Sequence, residues 1–133
     1  MSITFNNPAG IAAPASNYSH VAVVDLGTAR LLFIAGQVAI GLDGQLVGPG
    51  DIIKQTEQIF ENIQVALAAH GATLRDVAKL TTFFANMEHR TEVARVRGRY
   101  FPDPAPPNTA VEVTRLAMAE WLLEIEAVAV VKG

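Results

Sequence analysis

Two segments of this chain, Leu31–Ile40 and Ala127–Val131, are apolar without clean alternation, so a sheet built from them presents hydrophobic side chains on both faces. The rest of the chain supplies two helical patterns, and two helices cover one face of a sheet. The uncovered face must then meet something other than water, which leads us to expect a homo-oligomer whose subunits bury it. At 133 residues, half of them hydrophobic, the chain suits a single domain over 1–133 with a substantial core.

Strands are expected at Val21–Leu26 and Leu31–Ile40, joined through Gly27-Thr28-Ala29-Arg30 as a hairpin. The turn residues Gly41-Leu-Asp-Gly44 and Gly48-Pro-Gly-Asp51 follow, with Asp51 placed to cap a helix. From Asp51 to His70, Ile52, Ile59, Phe60, Ile63, Ala66 and Leu67 recur at three- and four-residue steps, and Gly71 stands where such a helix ends. Val77–Ala85 reads as a third strand. Asn86 opens a second helix over Glu88–Phe101, and the prolines of Pro102–Pro107 forbid its continuation. Thr109–Leu116 and Leu122–Val131 complete a β-β-α-β-α-β-β order, an α+β sheet with both helices on one face.

Several function classes lose support from composition. Ten basic and 13 acidic residues give a net charge of −3, with no basic field to attract a phosphate backbone, which argues against nucleic acid as a partner. The absence of cysteine removes disulfides, thiolate metal sites and thiol nucleophiles. His20, His70 and His89 are too far apart to suggest a metal centre. His70 in the last turn of its helix suits the dipole there, His89 an exposed helix start, and Ser19-His20 is no catalytic pair because strand neighbours point apart. Gly48-Pro-Gly-Asp51 is a turn and not a phosphate loop, since Asp51 puts negative charge where a phosphate would sit. The N-terminus carries no charged region followed by an apolar one, and no stretch is long enough to span a bilayer, so a soluble cytoplasmic protein is expected, without membrane partners.

Three carboxylates resist a bland account. Glu112, Glu124 and Glu126 sit between residues that favour burial, among them Val111, Val113 and Ile125. Each needs water, a donor or a cation. They serve either as rim and salt-bridge groups or, for one of them, as a partly buried base with a raised pKa that holds or activates a water in an inter-subunit cleft.

Tyr18, AGQVA at Ala35–Ala39, KLTTFF at Lys79–Phe84, PPNTAVEVTRL and LLEIEAVAVV together resemble the Rid superfamily, the RidA-like reactive intermediate deaminases, across about Tyr18 to Val131. The resemblance implies a chorismate-mutase-like fold, a homotrimer and three clefts between neighbouring subunits. It also implies hydrolysis of imines and enamines to keto acids and ammonia without metal or organic cofactor, the clefts taking a small-molecule metabolite. Carried over by motif, the water-handling glutamate falls on Glu124, Gly36 and Gln37 line the cleft with their backbone, and Tyr18 covers the site. In a deaminase, backbone amides near Gly36 or Ala110 would polarise the reacting centre.

The arginine that grips the substrate carboxylate in the family motif P-A-R-S falls on Asn108, and the asparagine of the second helix on Ala94. A guanidinium clamps a carboxylate through two charged donors, whereas an asparagine amide offers neutral ones. Charged hydrogen bonds contribute roughly 1.5–3 kcal/mol against about 1 for neutral pairs, so carboxylate binding is expected to weaken by about one to two orders of magnitude. The resulting expectation is a deaminase of altered substrate preference, with a non-catalytic metabolite-binding or regulatory trimer as the alternative. An endoribonuclease, an activity associated with some relatives, finds no support in the acidic composition. Arg95 or Arg97 would have to supply any replacement cation.

Overall fold

The computed structural model describes residues Met1 to Lys132. The chain forms six strands and two helices in the order β1 (Ser2–Asn6), β2 (Val21–Asp25), β3 (Ala29–Gln37), α1 (Ile52–Ala68), β4 (Val77–Phe84), α2 (Arg90–Tyr100), β5 (Asn108–Glu112) and β6 (Leu123–Lys132). These strands make one sheet in the order β1-β2-β3-β6-β4-β5. All neighbouring pairs are antiparallel except β4 with β5. That parallel pair follows from the crossover through α2.

Helix α1 begins at Asp51, whose carboxylate accepts from the Lys54 amide at 3.0 Å. Its predicted stripe of Ile52, Ile59, Phe60, Ile63, Ala66 and Leu67 is buried. Burying one such side chain contributes roughly 1.5–3 kcal/mol. Three polar residues share that stripe and tie the helix to loops. Gln55 Nε2 donates to the carbonyls of Gly48 and Glu120 at 3.1 Å, and its Oε1 accepts from the Leu122 amide at 3.0 Å. Asn62 Nδ2 donates to the carbonyls of Val38 and Ile40. Thr56 Oγ1 bonds back to Ile52. Gln55 thus fixes the chain where it enters β6.

The helices cover one sheet face, made by Val21, Val23, Leu32, Ile34, Leu80, Phe84, Leu123, Ile125, Ala127, Ala129 and Val131, all buried. Strand β6 alternates between this face and the other, so its apolar run Ala127–Val131 divides between two surfaces, and Glu124 and Glu126 fall on the open one. On the open face, register aligns Ile3, Val24, Leu31 and Val130 in one row and Phe5, Ala22, Phe33 and Val128 in the next. Phe5 is 68%, Phe33 44% and Val130 43% exposed. The open face is thus apolar across these two rows, as the sequence predicts, and acidic where β6 begins, at Glu124 and Glu126.

Several boundaries differ from expectation. The first strand, β1, lies in a segment assigned no structure from sequence, although Ile3 and Phe5 alternate with Thr4. Strand β3 ends at Gln37 and not Ile40, because Ala35 and Gly36 form a bulge between the pairs Ile34–Ala127 and Gln37–Ile125. Strand β5 stops at Glu112, and a 3-10 turn over Met87–His89 precedes α2. His70 lies beyond the end of α1, where its Nε2 meets Asn6 Oδ1 at 2.7 Å. Burial and then the nearby Arg30 lower its pKa. Among the described residues no helix is long and apolar enough to cross a membrane.

Candidate functional site

The bulge in β3 sets the geometry around Glu124. With no side chain at Gly36, the Glu124 carboxylate lies across its backbone: a Cβ there would overlap Glu124 Oε2 and stand 2.8 Å from both Cγ and Cδ. Glu124 is half-buried, since β6 turns it to the open face opposite Phe83 while Leu123 and Ile125 point into the core. Burial, followed by the charge of Glu126 two residues along the same face, raises its pKa. A carboxylate in that condition holds a proton more readily than an exposed glutamate.

The other two acidic residues divide differently. Glu112 is exposed at the end of β5, and its Oε1 accepts from the Met87 amide at 2.9 Å, which fixes the turn into α2. Glu126 is exposed beside a hollow of about 480 Å³ formed with Phe5, Phe33, Ala35 and Val128 on the open face.

Gln37 is 2% exposed, and its side chain is spent in the interior: Nε2 donates to the Ala35 carbonyl and to His20 Nδ1, both at 3.1 Å. His20 in turn meets the Ala12 carbonyl through Nε2 at 2.8 Å and is buried. This pairing leaves only the Gln37 backbone near the bulge. Tyr18 is exposed, with its ring edge-on to His20 at 5.9 Å between centroids. Tyr18, Gly36 and Glu124 therefore gather where β2 begins, β3 ends and β6 begins.

Asn108 and Ala110 occupy different ground. Asn108 pairs with Leu80 and Ala110 with Thr82, so both turn to the helix-covered side of the sheet, at its β5 edge. Glu124 shares its row with Phe83 and Val111, three residues further along and on the opposite face. One chain does not bring Asn108 and Glu124 together, and neither the open-face hollow nor a groove of about 710 Å³ along Pro102–Pro106 is lined by either residue. Asn108 is nonetheless held in place: its Oδ1 accepts from the fully buried Thr82 hydroxyl at 2.9 Å, which leaves the amide nitrogen to donate outward. Thr82 is a contributor that sequence reading missed, since Lys79 and Thr81 are polar in the same strand and nothing local sets it apart.

A family model described as "Endoribonuclease L-PSP" matches residues 10–131. A RutC family protein of Pyrococcus horikoshii is 42% identical over 100 residues, covering 75% of this chain and 79% of that one. A mouse protein named 2-iminobutanoate/2-iminopropanoate deaminase is 36% identical over 116 residues, 85% of this chain and 80% of its own. Among solved structures, a Yersinia pestis protein of the Rid family superposes with a TM-score of 0.86 at 30% identity, covering 96% of this chain and 98% of that one. The six-stranded mixed sheet and these matches agree, and the chain belongs to the endoribonuclease L-PSP family, that of the Rid proteins.

Proposed function

We propose that this protein is a cofactor-independent deaminase that hydrolyses the C=N bond of a small imine, or of its enamine tautomer, in clefts formed between copies of the chain in a homotrimer. The single observation that carries this reading is Glu124: a half-buried carboxylate with a raised pKa, seated over a glycine backbone. The activity named for the mouse relative supports it.

The two-chain cleft is supported by the opposite placement of the candidate residues. Asn108 and Ala110 at the β5 edge and Tyr18, Gly36 and Glu124 around the bulge form two half-sites that a single chain holds apart. The exposed rows containing Phe5, Phe33 and Val130 give a second copy an apolar surface to cover.

In this reading Glu124 takes a proton from water as the water oxygen bonds to the imine carbon and the C=N π electrons pass to nitrogen. Glu124 returns that proton to nitrogen to give the carbinolamine, then takes the hydroxyl proton and passes it to nitrogen as the carbonyl forms and the C–N bond breaks, which releases a carbonyl compound and ammonia. Backbone amides near Gly36 and Ala110 polarise the reacting centre. Asn108 orients the substrate through its free amide hydrogens, a neutral contact in place of the family's charged one, and so alters substrate preference.

The test supplies imines generated in solution, neutral and carboxylated, and measures how far the protein suppresses their capture by semicarbazide. Suppression above background by purified protein is expected; none across the panel would overturn the reading. A second reading, a non-catalytic metabolite-binding trimer, is favoured by the neutral Asn108. An inactive parent that gains hydrolysis of a carboxylated imine on Asn108→Arg would support it. Cleavage of RNA by nuclease-free preparations would instead support the activity in the family's description.

A further inference from the structure

Ala35 and Gly36 lie between the pairs Ile34–Ala127 and Gln37–Ile125 and have no register partner in β6. A stretch outside the ladder keeps its shape only if its backbone groups bond elsewhere. For Ala35 both bonds go to one pair of residues. Its N–H donates to the His20 carbonyl at 2.8 Å, and its carbonyl accepts from Gln37 Nε2 at 3.1 Å.

The hydrogen bonds of this pair fix a single arrangement. The Ala35 carbonyl can only accept, so the Gln37 atom facing it is the amide nitrogen. The second amide hydrogen goes to His20 Nδ1 at 3.1 Å, which is therefore the bare ring nitrogen. The ring proton then sits on Nε2, where the Ala12 carbonyl accepts it at 2.8 Å. Flipping the Gln37 amide or moving the ring proton to Nδ1 would set two acceptors or two donors face to face.

The pair is tied in turn to helix α1. The His20 N–H donates to Asn7 Oδ1 at 2.8 Å. The loop that carries Asn7 and Ala12 buries Ile11 and lies so close to α1 that a Cβ at Gly10 would stand 2.7 Å from Val65 Cγ1. Past the bulge, Asn62 of α1 holds the carbonyls of Val38 and Ile40. The bulge is thus referenced to the same helix on both sides.

What this frame holds is the ground on which Glu124 sits. The Ala35–Gly36 peptide is trans, so with its carbonyl turned to Gln37 its N–H, that of Gly36, points the opposite way. The same peptide carries the Gly36 Cα, over which the Glu124 carboxylate lies with no room for a Cβ.

We propose that His20 and Gln37 are a positioning pair for the reaction: they hold the Ala35–Gly36 peptide so that the Gly36 amide and the Glu124 carboxylate keep the one relation that serves catalysis. This rests on the deaminase reading and deepens it by naming what fixes the base. Neither residue touches the substrate, and each acts through the Ala35 carbonyl.

The test measures imine hydrolysis, and the Glu124 carboxyl titration by NMR, in the full-length parent and in variants. His20→Leu and Gln37→Met should each lower kcat by roughly 10- to 100-fold with KM within about twofold. His20→Asn keeps an acceptor beside the Gln37 amide and should recover most of what His20→Leu loses. The double variant should fall no further than Gln37→Met, since both act through one carbonyl. Thr56→Ala removes a buried hydroxyl that bonds to the Ile52 carbonyl, away from the bulge, and should keep the parent's kcat. In the parent, nitrogen NMR of the His20 ring should find the proton on Nε2, a result that needs no variant to fold. A proton on Nδ1, an unchanged kcat in His20→Leu or Gln37→Met, or an equal loss in Thr56→Ala would overturn the pair's role. The two proposals fail separately. A parent without turnover, whose Glu124 titration moves toward the ordinary glutamate range in Gln37→Met, removes the deaminase reading and keeps the positioning pair. Turnover insensitive to His20 and Gln37 removes the pair and keeps the deaminase.

Discussion

Gly36 and Glu124 share one space: the carboxylate of Glu124 lies where a side chain at Gly36 would have to be. The bulge that interrupts β3 brings the two together, so the glycine is required by close approach and not by an unusual backbone angle. Gly36→Ala should displace the carboxylate, cost about 1–3 kcal/mol of stability, and return the Glu124 pKa toward the ordinary glutamate range as solvent reaches it. Thermal unfolding and carbon-detected NMR titration of Glu124 check both effects. An unshifted titration in the variant would show that the carboxylate does not depend on this space.

Glu124 also makes a prediction about stability and pH. Its folded pKa is raised, so the folded state holds the proton more tightly than the unfolded chain. Stability contributed by this group is therefore lost as pH rises from the unfolded value through the folded one, and Glu124 destabilises the fold at neutral pH. Glu124→Gln should be more stable than the parent at pH 7, with the difference fading below the ordinary glutamate range. Denaturant unfolding across pH 3–8 would expose a contradiction if the variant were less stable throughout.

Thr82 and Asn108 form a second coupled pair. Asn108→Ala leaves the buried Thr82 hydroxyl without its acceptor and should cost about 1–3 kcal/mol. Adding Thr82→Val removes the stranded group, and the double variant should recover much of the loss. Additive losses in the double-mutant cycle would mean that the hydroxyl finds another partner.

The open face predicts assembly. Phe33 stands in the centre of an exposed row between Ala22 and Val128. Phe33→Asp should convert a trimeric parent into monomers, read by sedimentation velocity, with the helix-covered core intact by circular dichroism. A parent already monomeric at high concentration would contradict the two-chain cleft.

What the sequence revealed depends on how locally each feature is determined. Helix α1 was legible because Asp51 and the Ile59–Phe60–Ile63 spacing are local signals. The apolar part of the open face was legible because the Ala127–Val131 end of β6 offers no polar residue to either side. Strand β1 escaped notice because five residues at one edge depend on β2 for their structure. The bulge at Ala35-Gly36 and the burial of Gln37 against His20 arise from cross-strand and loop contacts that no local pattern reports. The side of α2 that meets α1 needed the position of α1, since alternating arginines look alike until Arg99 is seen to pair with Glu57.

The most direct measurement of the account is the rate at which parent and Glu124→Gln release keto acid and ammonia from 2-iminobutanoate generated in solution at neutral pH. Loss of a general base predicts a fall of about 10²- to 10⁴-fold in the variant, with the parent's acid limb lying above the ordinary glutamate range. Equal rates in the two proteins, both above background, would contradict the role assigned to Glu124.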